Sequence, residues 1–200
     1  MSLFKKKDYR SVYNYYVTES KRIIEKYDKP MVLKMDCYNE AEIHPLNKSL
    51  IKNVKGFKKL VMIEYDEEFI KQAHENLKGY DNYEIIKGDI RVKQEDLKDF
   101  DVILDLSTID HVEQESLETV FDNYASYMKS DGLLLIVAWV KMKPDDKKIN
   151  DWRSTNQYYH DYYFFKEKLL KNFLNIEEEE LIIYERDNNK RLYKFLCKKC

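Results

Sequence analysis

The sequence predicts an α/β protein of the doubly wound kind: a mostly parallel sheet with helices on both faces and an antiparallel hairpin at the end of the chain. Three observations predict it. Short apolar runs at 31–35, 60–63, 83–86 and 102–104 alternate with segments of helical periodicity, which implies parallel strands joined by right-handed crossovers. The run Leu133–Val140 is apolar without a break, as suits a central strand buried on both faces. Two further apolar runs, Leu181–Tyr184 and Leu192–Leu196, flank Asp187-Asn-Asn-Lys190, a hairpin-turn pattern.

Taken in order, residues 11–29 read as a helix with Val17, Ile23, Ile24 and Tyr27 on a partly apolar face, stopped by Pro30. Met31–Met35 is the first strand, Asp36–Glu40 a polar loop, and about 46–55 a helix ending at Gly56. Leu60–Ile63 is a strand closed by Glu64. Asp66 is a good N-cap for a helix carrying Phe69, Ile70, Ala73 and Leu77, with Gly79 at its end. Tyr83–Ile86 is the third strand and Val102–Leu104 the fourth. A helix over about 116–128 turns Leu117, Val120, Phe121, Tyr124 and Met128 inward. Ser130-Asp-Gly132 reads as a turn into the fifth strand, 141–160 has no clear period, and about 165–174 reads as a helix. The acidic run Glu177–Glu180 reads as a solvated edge before a strand.

The 200 residues suit a single domain over 1–200, with 1–30 as an N-terminal helical segment. Lys plus Arg number 35 and Asp plus Glu 37, a balance that gives no reason to expect nucleic acid or an anionic membrane as partner. No run is long enough to span a bilayer, and the basic start lacks the apolar stretch of a secretory signal. Cys37, Cys197 and Cys200 suggest no disulfide framework, so a reducing cytoplasm is expected. Cys197-Lys-Lys-Cys200 has ligand-like spacing, but no second pair completes a zinc site, and no metal is expected.

Ligands of doubly wound sheets bind at the carboxyl ends of the strands, where the strand order reverses. Those ends carry Asp36–Glu40, Glu64, Asp89 and Asp105–His111. A carboxylate after the second strand suits ribose hydroxyls, and one after the third suits an exocyclic amine. Glu64 and Asp89 stand in those places.

These pieces resemble class I S-adenosylmethionine-dependent methyltransferases over roughly residues 31–196. Val32-Leu-Lys-Met-Asp-Cys-Tyr-Asn-Glu40 resembles the first motif and Val61-Met-Ile-Glu-Tyr-Asp-Glu-Glu-Phe-Ile-Lys-Gln-Ala73 the second. Ile86-Lys-Gly-Asp-Ile90 resembles the third, and Phe100-Asp-Val-Ile-Leu-Asp-Leu106 with Ile109-Asp-His-Val112 the fourth strand and the segment after it. Met128-Lys-Ser-Asp-Gly-Leu-Leu-Leu-Ile-Val137 resembles the entry into the fifth strand. The resemblance implies a seven-stranded, Rossmann-like sheet and S-adenosylmethionine as cofactor. It implies cofactor contacts from Asp36, Cys37, Tyr38 and Asn39, from Glu64 to the ribose, from Tyr65 to the adenine, and from Asp89, Ile90 and Asp105.

The chain departs from the family where glycines are usual, carrying Asp36, Tyr38 and Glu40 instead. Either side chains of this loop contact the methionine part of the cofactor, or the chain is a non-catalytic module of the same fold that no longer binds it. A nicotinamide enzyme would need a Gly-x-Gly-x-x-Gly loop, which is missing. Methyl transfer from a sulfonium relies on positioning, with a base only for a hydroxyl or protonated amine acceptor. His111 is the leading candidate base, and Asp110 beside it is the second catalytic candidate, to orient His111 or to act itself; the alternative is that His111 opens the next helix. The aromatic stretch within 141–165 is a candidate acceptor-pocket insertion, with Tyr158, Tyr159 and His160 expected at a cleft. The expected acceptor is a small molecule or a sugar.

Overall fold

The computed structural model describes residues 9–41, 49–54, 56–141, 149–150, 156–158, 160–173, 175–183 and 190–199. The central sheet has strands β1 (Met31–Met35), β2 (Lys59–Glu64), β3 (Tyr83–Lys87), β4 (Phe100–Leu106), β5 (Met128–Lys141), β9 (Asn175–Ile183) and β10 (Lys190–Lys198). Short pieces β6 (Ile149–Asn150) and β7 (Asn156–Gln157) pair with each other, and β8 (His160–Asp161) pairs with β5. The helices are α1 (Tyr9–Ile24), α2 (Tyr38–Ala41), α3 (Leu50–Asn53), α4 (Glu67–Asn76), α5 (Leu117–Tyr127) and α6 (Tyr162–Asn172).

The strand order is β3-β2-β1-β4-β5-β10-β9. The first five strands are mutually parallel, and β10 runs antiparallel to both β5 and β9. This is the doubly wound sheet with a C-terminal antiparallel pair that the alternation of runs predicts. Strand order reverses between β1 and β4, so the cleft of such a sheet opens at their carboxyl ends.

Alternation along each strand divides the core in two. Leu33 and Met35 of β1, Ile103 of β4 and Leu134 and Ile136 of β5 face one layer, which α5 and α6 complete with Phe121, Tyr124, Phe165 and Leu169. Val32, Val102, Leu104, Leu133 and Leu135 face the other, which α1 to α4 cover. Phe121 and Phe165 meet edge to face at 5.3 Å, fixing α5 against α6. On α1, Val12, Tyr16, Ser20, Ile23 and Ile24 form the buried stripe. The two-residue alternation puts Lys34 on the α1–α4 side, where it is 0% exposed.

Several expectations need correction. Helix α1 ends at Ile24 rather than 29, because the chain tightens into three-residue turns at Lys26 and Tyr27 before Lys29 takes a left-handed φ of 48° ahead of Pro30. The supposed loop 36–40 contains helix α2, whose last carbonyls accept from Asn76 Nδ2. Of the helix expected over 46–55, α3 occupies 50–53; residues 46–48 and 55 lie outside the described residues. Ser130–Gly132 is part of β5 at a bulge in its pairing with β4. The acidic run 177–180 lies inside β9, an edge strand whose outward residues meet solvent and lysines. Helix α6 begins at Tyr162, earlier than expected, because Asp161 caps it by accepting from Phe164 N. The hairpin turn expected at 187–190 lies mostly outside the described residues.

Candidate functional site

At the end of β1, Asp36 adopts a left-handed φ of 75°, a region Asp tolerates better than most residues but still at a cost of about 1 kcal/mol. Its carboxylate is held on both sides. Oδ1 accepts from Lys34 Nζ at 2.7 Å and from Tyr38 N at 3.2 Å, and Oδ2 accepts from the Thr108 hydroxyl. Lys34 Nζ also donates to the Asp36 carbonyl at 2.9 Å and lies 3.1 Å from Glu40 Oε2. Burial opposes the Lys34 charge, but Asp36 and Glu40 outweigh it and raise its pKa, so the ammonium stays charged. Glu40 Oε1 accepts from Leu50 N at 3.1 Å, joining the loop to the start of α3.

At the end of β2, Glu64 is 4% exposed. Its Oε1 accepts from the amides of Tyr65 (2.9 Å) and Asp66 (3.0 Å), and its Oε2 from the amide of Cys37 at 3.1 Å. Burial raises the Glu64 pKa, while the amides of Asp66 and Cys37 pull it back. The Tyr65 ring is 70% exposed beside it. After β3, Asp89 accepts from Arg91 through Nε and Nη2, and Arg91 Nη1 donates to Glu113 at 3.0 Å. Ile90 is buried, and its carbonyl accepts from Asn123 Nδ2 at 2.9 Å.

At the end of β4, Ser107 also takes a left-handed φ, 76°, so both strands flanking the reversal end in a strained non-glycine residue. Asp105 is 0% exposed. Its Oδ1 accepts from Thr108 N and Ile109 N, and its Oδ2 from the Tyr124 hydroxyl at 2.7 Å. These bonds fix the single-turn helix Ile109–His111. Burial pushes Asp105 up to about 7 despite them. Within that turn His111 is exposed, whereas Asp110 is buried, its Oδ1 accepting from Trp139 N at 2.9 Å and its pKa raised by burial. Ser107 Oγ and Tyr16 Oη lie 2.5 Å apart, which pins α1 to this end of the sheet.

The strand ends thus gather Asp36, Cys37, Tyr38, Asn39, Glu64, Tyr65, Asp89 and Ile90 along one edge, with Asp105, Asp110 and His111 at the adjoining strand end. Asp105 commits its carboxylate to bonds within the fold. Tyr158 sits nearby, its amide donating to the Asp110 carbonyl at 2.6 Å. His160, expected to face a cleft, is instead 1% exposed: its ring stacks between Tyr158 and Phe165, and Nε2 meets the Ile109 carbonyl at 3.2 Å. Its pairing on β5 turns the ring into the α5–α6 layer. Tyr159 lies outside the described residues. Sequence reasoning missed Lys34, Thr108, Ser107 and Tyr124. Lys34 had a signal: a lysine inside an apolar strand, with carboxylates two and six residues on, must bury a charge and be paired.

Two observations fit a bound adenosyl cofactor. Each carboxylate oxygen offers two lone pairs, so Glu64 Oε2, with one amide donor, retains an acceptor position. Asn39 Oδ1 is buried without a hydrogen-bond partner in the loop after β1. Among the described residues no group of three or more His, Cys, Asp or Glu could hold a metal, and no helix is long and apolar enough to cross a membrane.

Residues 43–195 match the family model described as a methyltransferase domain. No curated protein matches the chain. Among solved structures, a protein of Pyrococcus horikoshii superposes with a TM-score of 0.72 at 20% identity, covering 98% of this chain and 93% of that one. An S-adenosylmethionine-dependent methyltransferase from Clostridium acetobutylicum gives 0.69 at 14% identity, covering 97% and 93%. The 1,6-didemethyltoxoflavin-N1-methyltransferase of Burkholderia thailandensis, solved with 1,6-didemethyltoxoflavin and S-adenosylhomocysteine, gives 0.66 at 11% identity, covering 96% and 79%.

Proposed function

The chain belongs to the methyltransferase-domain family, and from that premise we propose that it methylates a small-molecule or sugar acceptor with S-adenosylmethionine bound at the carboxyl ends of β1 to β4. The observation that carries the reading is Glu64. It is a buried carboxylate oriented by three backbone amides, with one acceptor position left, beside an open tyrosine ring. That donor–acceptor pattern suits a ribose hydroxyl next to a stacked base.

The cofactor supplies a methyl group on a sulfonium, already activated for displacement. The chain's own part is to bind and to orient. Glu64 accepts from the ribose, Tyr65 covers the adenine face, and Asp89 with Ile90 bounds its edge. Asp36 and Asn39 Oδ1 offer acceptors to an ammonium; Cys37 and Tyr38 shape the backbone between them. Asp105 and Asp110 hold the turn that presents His111, the candidate base for an acceptor proton, and Tyr158 borders the acceptor side. The near balance of charge supports an acceptor that is not a polyanion. The solved relative from Burkholderia thailandensis, with its bound small molecule, supports the same class.

Calorimetric titration with S-adenosylhomocysteine tests the assignment. Saturable binding weakened about tenfold by Glu64→Gln, roughly 1.4 kcal/mol, agrees with it. Equal affinity in the two proteins removes Glu64 from the site.

A further inference from the structure

The loop after β1 is built without glycine, and something must hold it in place. Asp36 sits at φ 75° where a glycine would be free of strain. One side chain reaches the whole loop from beneath. Lys34, two residues back on the strand and fully buried, places its ammonium 2.7 Å from Asp36 Oδ1, 2.9 Å from the Asp36 carbonyl and 3.1 Å from Glu40 Oε2. The ammonium hydrogen-bonds Asp36 twice and pairs with the Glu40 carboxylate by charge and proximity, Glu40 Oε2 being buried without a hydrogen bond. Asp36 and Glu40 bracket the segment that includes Cys37 and the start of α2, so the ammonium ties both ends of the loop to one point on the sheet. Thr108 secures Asp36 from the β4 side. A buried ion pair of this kind contributes little net stability against an apolar substitute, and its best-supported use is to fix one conformation.

We propose that Lys34 is a positioning residue for the cofactor: its buried ammonium replaces the conformational role of glycine by clamping Asp36 and Glu40, and so fixes the Cys37 amide and Asn39 where the methionine part of the cofactor lies. The cofactor clause rests on the function proposed above; the clamp itself does not. Glu64 is oriented through the same loop, since its Oε2 accepts from the Cys37 amide. Loss of the clamp therefore loosens the Asp36 side and the ribose carboxylate together.

The test is the double variant Lys34→Met/Glu40→Gln. It removes one positive and one negative charge, leaves the net charge of the cluster unchanged, and spares Asp36. Amide hydrogen exchange in the absence of cofactor reads the loop, with β4 amides 102–106 as the control for the fold. Calorimetry with S-adenosylhomocysteine reads the site. The clamp predicts exchange at residues 37–41 faster by at least tenfold with β4 within twofold, and a dissociation constant at least tenfold higher. Loop exchange within twofold of the parent overturns the clamp, and faster exchange with unchanged affinity overturns the positioning role. A parent protein that binds no S-adenosylhomocysteine counts against the proposed function and against the cofactor clause, while exchange still decides the clamp. If the double variant does not fold, Glu40→Gln alone, which takes the charge off the second clamped carboxylate and leaves Lys34 and Asp36 in place, carries the same two readouts with the same expected directions, and loop exchange or affinity unchanged from the parent overturns the proposal.

Discussion

Replacing Asp105 with asparagine makes the cost of the turn after β4 measurable. The side chain is 0% exposed, and burial moves its carboxyl from an ordinary 3.8 to about 7, outweighing the donors Tyr124, Ile109 and Thr108. Between those values the folded chain keeps a proton that the unfolded chain has released. The contribution to stability is therefore present below about pH 4 and is lost as pH rises through about 7. A displacement of about three units at 1.36 kcal/mol each sets a ceiling of about 4 kcal/mol. Asp105→Asn keeps an acceptor for the amides of Thr108 and Ile109 and offers Nδ2 to the Tyr124 oxygen, without a charge to bury. Asp110 and Glu64 are also shifted upward by burial, and Asp89 and Glu178 are shifted downward by their arginines, so the absolute pH curve is a composite. The difference between variant and parent reports Asp105 together with its charge coupling to Asp110 and Asp36. Urea unfolding at pH values from 4 to 8 should show the variant gaining on the parent by roughly 2–4 kcal/mol across that range. A difference constant with pH, or one that shrinks as pH rises, refutes the reasoning.

Other perturbations draw on the same contacts. Phe121→Ala opens a cavity between α5 and α6, where the ring is fully buried against Phe165, and should cost about 3–5 kcal/mol in a denaturant melt; a loss below about 1 kcal/mol contradicts that packing. Tyr65→Ala, at an exposed ring, should leave the melting temperature nearly unchanged while weakening S-adenosylhomocysteine binding by about tenfold in calorimetry. Arg22→Met breaks the paired bonds to Glu178 and the contact with Glu19, all partly exposed, so the loss should stay under about 1 kcal/mol and shrink further in high salt. Cys37 is buried with its thiol pKa raised by burial, so peptide mapping after alkylation of the folded protein should find it unmodified.

The sheet was legible because its signals are local. Continuous apolar runs such as Leu133–Val140 suit only buried strands at that length, and Asp66 announced α4 through a capping bond that the structure contains, Glu68 N to Asp66 Oδ1. Boundaries failed where tertiary partners decide them. Ser130–Gly132 has turn composition but is carried within β5 as the bulge between its paired positions Met128 and Leu133, and Glu177–Glu180 has surface composition but is drawn into β9 by pairing with β10. The candidate site divides the same way. That Glu64 and Asp89 stand at strand ends is set by strand position alone. That His160 packs on Phe165, or which of its nearby carboxylates Lys34 reaches, depends on rotamers and on how the short helix α2 and helix α6 seat against the sheet, which spacing alone does not encode.

The claim that an adenosyl cofactor binds at the strand ends is tested most directly by amide chemical-shift mapping of the 15N-labelled protein during titration with S-adenosylhomocysteine. Saturable shifts concentrated at residues 36–40, 64–66, 89–91 and 107–111 are expected. A folded protein with no saturable shifts, or with shifts confined to other elements, would contradict it.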